Sequence, residues 1–316
     1  MHTYIIGHLK PDTDSVVAAM ALAKLCQNVS YFGYPNAQAA ITQALNPETT
    51  FLFEKFKLPV PSILTASELA DDDQVILVDH NEADQRLQGL NPNQIVGIVD
   101  HHKANINFEQ PINLIFKTWG SSNTIVAFMM QQNDFTPDIK LASLMLAAIL
   151  SDTVGFKSPT CTAKDKEMAH WLAALANIDD LAALSLEIFQ AKSDISHLSA
   201  EEIVTNDYKI FNFAGKKVMI DQLETVEQDK VLAEKKALLL QTMSKVKTTL
   251  QVDLIYVVLT DILKVNSKLL LLDETAEKIA VKAFGGTAKE QVLDIGGRLS
   301  RKKEIAPPIE KALNLN

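Results

Sequence analysis

The sequence predicts an α/β protein: a doubly wound, mainly parallel sheet in an N-terminal domain, then a smaller mixed α+β C-terminal domain. Three observations carry this expectation. The first half alternates short Val/Ile-rich runs with helical patterns, the order of parallel strands joined by crossover helices. Two of those runs, QVILVDH and IVGIVDH, are continuously apolar, as strands covered on both faces are. After residue 199 the texture changes to hairpin-like strands and a long helix. At 316 residues the chain is long enough for two cores.

The elements follow in order. TYIIG reads as a buried strand, and residues 15–26 as a helix that is apolar around most of its surface. VSYFGY, at 29–34, reads as a second strand. QVILVDH, IVGIVDH and INLIFK are the next three strands, and helices are expected at 121–132, 138–149, 162–176 and 179–190. AKSDISHLSAEE interrupts the pattern with polar residues. It sets a first domain at 1–190, a hinge linker at 191–199 and a second domain at 200–316. The linker ends in a helix cap, Ser199 with Glu202 three residues on. In the second domain YKIFNFAGKKVMIDQLE reads as a hairpin turning at Ala214-Gly215. Residues 227–250 read as a long helix, VDLIYVVLTDI and SKLLLLD as adjacent strands, and a further helix starts at Glu274. IGGRLSRKKEIAPP and a short tail helix close the chain.

Composition narrows the function. No apolar run approaches the roughly 18–20 residues that span a bilayer. The N-terminus lacks the basic and apolar regions of a signal peptide. Two cysteines, Cys26 and Cys161, exclude a disulfide framework and a four-thiolate zinc site. The expectation is a cytoplasmic protein with no membrane partner. A formal net charge of −9 argues against nucleic acid as a partner, but is compatible with a small anion held by local groups or metals.

Acids and histidines gather at the ends of elements. The first strand ends in Gly7-His8, with Asp12 and Asp14 following; later runs end in Asp79-His80-Asn81 and Asp100-His101-His102, and a helix ends in Ser151-Asp152-Thr153. In parallel sheets ligands collect beyond the carboxyl ends of strands, so these groups can meet. Imidazole plus carboxylate without thiolate suits Mn²⁺, Fe²⁺, Co²⁺ or Zn²⁺. Taken singly, PDTD is most often a solvated turn or a helix cap, and SDT says nothing; four such segments in this order read as a site. Cys161, His2, His170 and His197 read as packing or surface residues.

GHLKPDTDS, VDH, DHH and SDT resemble the successive motifs of the DHH phosphoesterase superfamily. SRKK at 300–303, with VDHNE and GFKSPTCT, resembles the manganese-dependent (family II) inorganic pyrophosphatases in particular. The resemblance covers essentially the whole chain. It implies two Mn²⁺ per subunit, with Co²⁺ able to substitute and Mg²⁺ accompanying the substrate. One metal would be held by His8, Asp12 and Asp79, the other by Asp14, Asp79, His101 and Asp152, with Asp79 bridging. Asp100 and His80 would orient the ligands. His102 would face the substrate and is the first candidate to protonate the leaving phosphate. Lys209, Arg301 and Lys302 would bring catalytic cations from the second domain. A homodimer through the first domain's sheet is also implied, and the chain has no room for a nucleotide-sensing insert. Relatives often carry Pro-Val-Gly where this chain reads KTWGSSNT, so a local packing change by Trp119 is expected.

The activity implied is hydrolysis of inorganic pyrophosphate to two orthophosphates, by a metal-bridged hydroxide at a dinuclear site between the domains. Two metals sharing a water lower its pKa steeply, while Arg301 offers a planar fork and the lysines point charges for phosphate oxygens. The alternatives are a DHH-type exopolyphosphatase, an oligonucleotide or cyclic-dinucleotide phosphodiesterase, and a metal-binding scaffold with a decayed site. The Gly-Gly-Gly-His type motif typical of the nucleotide-acting relatives does not occur here.

Overall fold

The computed structural model describes residues 1–193, 195 and 198–314, apart from the Tyr31 side chain. The chain divides into two compact units, Met1–Ala191 and Lys192–Asn316. Of the expected linker at 191–199, Asp194, Ser196 and His197 lie outside the described residues. Among the described residues no helix is long and apolar enough to cross a membrane.

The first unit is built on a five-stranded parallel sheet: β1 (Thr3–Ile6), β2 (Ala37–Ala40), β3 (Gln74–Val78), β4 (Ile95–Asp100) and β5 (Asn113–Phe116). Its order is β2-β1-β3-β4-β5, every neighbouring pair parallel. The helices are α1 (Thr13–Asn28), α2 (Pro47–Phe56), α3 (Ser122–Gln132), α4 (Ile139–Asp152), α5 (Ala163–Ala176) and α6 (Leu181–Lys192). The apolar runs of β3 and β4 are buried on both faces, the reason they do not alternate. Ile6, Val75, Leu77 and Ile98 face one core with Leu64 and Leu87 of the connecting segments. α4 is buried from Leu141 to Ser151 and is the central helix of the unit.

One expected strand is not there. VSYFGY forms a 3₁₀ turn at Ser30–Phe32, and the second strand is the following AQAA. Phe32 N–H bonds to Val29 C=O and Gly33 N–H to Ser30 C=O, so the backbone is satisfied locally. Gly33, at φ 74°, then turns the chain in the left-handed region. Sequence patterning also misses α2, although its signal is present: Asn46 caps the Thr49 N–H at 2.8 Å and Pro47 takes the first helical turn.

The second unit contains α7 (Ala200–Val204), β6 (Tyr208–Phe213), β7 (Lys216–Thr225), α8 (Gln228–Thr249), β8 (Leu254–Asp261), β9 (Asn266–Leu271), α9 (Glu274–Phe284), β10 (Val292–Gly296) and α10 (Ala306–Asn314). Its sheet runs β10-β9-β8-β7-β6, with only β7 and β8 parallel. All of β8 is buried, as a central strand should be. Tyr256 and Val258 face the core under α9 and α10, while Ile255 and Val257 face the one under α8. The β6–β7 hairpin turns at Ala214 (φ 49°) and Gly215 (φ 76°), two left-handed residues whose twist matches that of the strands. Ser199 and Glu202 form the expected reciprocal cap on α7.

Candidate metal centre

The strand order reverses between β1 and β3, and β4 lies beside β3. The carboxyl ends of these three strands deliver His8, Asp79 and His101, as a switch point in a parallel sheet does. Asp12 caps α1 through a reciprocal bond with Ser15, so the motif does serve as a helix cap as well as a donor. Gly7 is needed here: a Cβ would lie 2.6 Å from Ser15 Cβ, so only glycine lets the end of β1 approach the start of α1. Asp152 arrives from the last turn of α4.

The donors form three overlapping sets: His8, Asp12 and Asp79; Asp14, His101 and Asp152; Asp79, His101 and His102. His8 Nε2 lies 3.4 Å from Asp12 Oδ1 and 3.5 Å from Asp79 Oδ2. His101 Nε2 lies 3.1 Å from Asp79 Oδ1, 3.5 Å from Asp152 Oδ2 and 4.0 Å from Asp14 Oδ2. Asp79 thus offers one oxygen to each histidine. It sits in the left-handed region, at φ 62°, which Asp tolerates better than most residues. Its conformation turns the side chain out of the sheet just where β3 ends.

The ring orientations are set from behind. His8 Nδ1 is 2.7 Å from Leu9 C=O, and His101 Nδ1 is 3.0 Å from Trp119 C=O. Each contact holds a proton on Nδ1 and turns Nε2 toward the acids, the arrangement of a metal-ligating imidazole. His102 differs: its Nδ1 donates to Asp100 Oδ1 at 2.9 Å, and Asp100 Oδ2 accepts from Asn81 Nδ2 at 2.6 Å. His80, expected to orient a ligand, donates Nδ1–H to Val78 C=O and packs edge-on to the His8 ring instead of bonding a donor.

The carboxylates are also held, by residues that sequence reading missed. Asp14 Oδ1 accepts from Ser121 Oγ, from Asn123 N–H at 3.2 Å and from Asn123 Nδ2 at 2.8 Å; its Oδ2 accepts from Ser122 N–H at 2.6 Å. The carboxylate therefore caps the N-terminus of α3. Ser122 Oγ donates to Asp79 Oδ1 at 3.0 Å. Asp165, fully buried, accepts from Gly120 N–H, Thr124 Oγ1 and Thr162 Oγ1 and anchors the same segment. A Cβ on Gly120 would meet Thr153 Cγ2 at 2.8 Å, hence glycine. The Trp119 ring stacks edge-on with Phe128 at 5.4 Å. The legible signal was GSSN itself: a glycine followed by three short polar residues at a helix start.

The electrostatics test whether this set fits a divalent metal. Burial opposes charge on His8, yet Asp12 and Asp79 outweigh it and push the imidazole up to about 11. His101 is likewise opposed by burial but raised by Asp79, Asp14 and Asp152 to about 10. Asp14 is pushed up to about 7 by burial and by the charges of Asp79 and Asp12. Asp152 is raised by burial, Asp14 and Asp79. Burial also opposes ionisation of Asp79, but His101 and His8 hold it well below the ordinary carboxylate range. Four acids in one small volume lack matching positive charge unless protons or cations supply it. With imidazole nitrogens among carboxylate oxygens and no thiolate, the donors fit manganese. An open cavity of about 530 Å³ borders the cluster, lined also by Lys10, Asp84 and Gln85, which sequence reading did not single out.

The remaining expected site residues belong to the second unit. Lys209 lies on β6 and is exposed. Arg301 and Lys302 start a π-helical turn, Arg301–Ile305, capped by Ser300. Arg301 Nη2 bonds to Asp207 Oδ1 at 3.0 Å, and its other terminal nitrogen bonds to Asp207 C=O. Arg301 N–H donates to Gln222 Oε1 at 3.1 Å. Arg301 is thereby tied to the residue two before Lys209, while Lys302 stays exposed.

Residues 2–149 match the DHH family, N-terminal domain, and residues 186–312 match the DHHA2 domain. The chain is 37% identical to the manganese-dependent inorganic pyrophosphatase of Methanocaldococcus jannaschii, over 98% of this chain and 99% of that one. It is 38% identical to the enzyme of the same name from Methanothrix thermoacetophila, over 98% and 97% of the two chains. The chain belongs to the family of manganese-dependent inorganic pyrophosphatases. A solved structure from Methanococcus jannaschii, assigned to the family II inorganic pyrophosphatases, superposes with a TM-score of 0.62 at 35% identity, covering 99% of both chains. An exopolyphosphatase-related protein from Bacteroides fragilis shares the fold alone, with a TM-score of 0.50 at 14% identity over 99% of this chain and 92% of that one. The names of these relatives specify manganese, a metal that the donor chemistry of the acid–histidine cluster suits.

Proposed function

We propose that this chain hydrolyses inorganic pyrophosphate to two orthophosphates, as the names of its relatives describe for them. The observation that carries the reading is the convergence of three donor sets on Asp79 and His101 in a chain of this family. Two Mn²⁺ per subunit are proposed, one held by His8, Asp12 and Asp79 and one by Asp14, Asp79, His101 and Asp152. Co²⁺ would substitute, and Mg²⁺ would accompany the substrate. Bound there, divalent cations lower the pKa of water and neutralise phosphoryl oxygens.

The protein's own groups do the rest. The Ser121–Asn123 segment fixes the Asp14 carboxylate, and Ser122 steadies Asp79, so donor geometry is set without help from substrate. His102, with Nδ1–H given to Asp100, keeps Nε2 to hold a proton for the leaving phosphate oxygen; the Asp100 hydrogen bond raises its pKa. Lys209, Arg301 and Lys302 are the proposed cations for the phosphoryl oxygens as charge develops. We place the protein in the cytoplasm, with pyrophosphate rather than nucleic acid or membrane as partner. A homodimer through the first unit's sheet is supported by β5, an edge strand with Leu114 44% exposed.

The test is phosphate release by Mn²⁺-loaded protein from pyrophosphate, tripolyphosphate and a dinucleotide. Strong preference for pyrophosphate is expected. Faster release from tripolyphosphate would move the assignment to a polyphosphatase.

A further inference from the structure

Behind the donors lies a carboxylate that the chemistry above does not use. Glu48, in the first turn of α2, is 4% exposed. Its Oε1 accepts from Thr13 Oγ1 at 2.6 Å and from Ser151 Oγ at 2.6 Å. Thr13 Oγ1 also lies 2.9 Å from Thr49 Oγ1, on the next residue of α2. Thr13 stands between Asp12 and Asp14, and Ser151 directly precedes Asp152. One oxygen therefore ties the first turn of α1 to the last turn of α4.

The placement is costly on its own terms. Burying a polar group carries a desolvation cost that its hydrogen bonds have to offset. Two apolar residues could join these helices without that cost. What an apolar contact cannot do is fix two hydroxyl-bearing residues at hydrogen-bond precision. Here both of those residues adjoin donors, and Asp14 and Asp152 flank the same nitrogen, His101 Nε2, at 4.0 and 3.5 Å.

We propose that Glu48 is a positioning residue for the Asp14–His101–Asp152 set: by holding Thr13 and Ser151 on one oxygen, it fixes the separation of the two carboxylates that share a divalent cation with His101. This rests on the reading that the set binds metal. Glu48 is not one of the proposed donors, so its effect falls on affinity for the cation. The His8–Asp12–Asp79 set has no such tie to Ser151 and is affected less.

The experiment is calorimetric titration of chelator-treated full-length protein with Mn²⁺, alongside its thermal midpoint without metal. Wild type is expected to bind two ions. Glu48→Ala is expected to weaken one of them by about 10–100-fold, the usual effect of losing a residue that orients ligands. Glu48→Gln keeps an acceptor oxygen and is expected to restore most of that loss. Ser151→Ala removes one arm and is expected to weaken the same ion by a smaller factor; it decides the matter if Glu48→Ala does not fold. Wild-type affinity at both sites in folded Glu48→Ala, or in Ser151→Ala where that variant decides, overturns the proposal. Failure of the underlying metal reading looks different: wild type binds no Mn²⁺, or Asp152→Asn binds it as wild type does.

Discussion

The acid–histidine cluster of the first unit and the basic segment of the second are built in opposite ways. Asp14 and Asp79 are each 1% exposed and carry hydrogen bonds from α3. Lys209 and Lys302 are exposed, on an edge strand and a short turn, and only Arg301 of the three has its head group pinned, by Asp207. The contrast matches the roles proposed for the two sets. Several carboxylates must stay close together against their own repulsion, which needs rigid donors and a dry, cross-bonded setting. Cations that grip a small anion need reach, and a flexible ammonium in water supplies it.

The largest effect that can break this comparison is metal removal. Chelator-treated protein is expected to lose nearly all pyrophosphate hydrolysis, and to regain it with Mn²⁺ or Co²⁺ better than with Mg²⁺ alone, because imidazole donors favour transition metals. Phosphate release with parallel metal analysis checks this; full activity in Mg²⁺ without a transition metal would end the assignment. Next comes Asp79. Asp79→Asn keeps a residue suited to positive φ but removes the charge shared by His8 and His101. It is expected to lower the content of both metals, whereas Asp12→Asn and Asp152→Asn each lower mainly one. Two tightly held metals in Asp79→Asn would refute the shared role.

The basic segment is expected to behave otherwise. Arg301→Ala and Lys302→Ala should keep metal content and thermal midpoint near wild type while kcat/KM drops by about 10²–10³, the loss typical of one transition-state charge contact. A variant with normal kinetics would make that residue part of a solvated turn. The smallest expected effect sharpens the comparison within the second unit. Asp221 is fully buried there, accepts from Asp207 N–H through Oδ1, and among the described residues has no hydrogen-bond partner for Oδ2. Burial pushes its carboxyl from 3.8 up to about 7. Because the folded form holds the proton more tightly, the stability it contributes is complete below about pH 4 and is lost as pH rises through about 7. Asp221→Asn should therefore match wild type at pH 4 and exceed it at pH 8, by about 4 kcal/mol at most, when thermal midpoints of chelator-treated proteins are compared. Equal midpoints at both pH values would show that the burial is relieved locally.

Much of this was legible because it is local. Val/Ile runs ending in His or Asp set both the parallel strands and the place of His8, Asp79 and His101, since a strand's residue order and its carboxyl end are written in adjacent residues. The β6–β7 hairpin and the α7 cap were legible for the same reason. VSYFGY failed as a strand because its backbone bonds closed within four residues, which apolar content alone does not reveal.

The sequence by itself set the acids and histidines of the candidate site at the ends of strands and one helix. Tertiary structure decided which of them meet, and what holds them there. Asp14 reaches Ser121–Asn123 across more than a hundred residues, and Glu48 joins Thr13 to Ser151 across separations of 35 and 103. Such bonds have no period and no neighbouring signal. They exist only once α1, α2, α3 and α4 have packed, because an ångström of separation between distant segments is set by the fit of whole helices, not by the residues on either side of a donor.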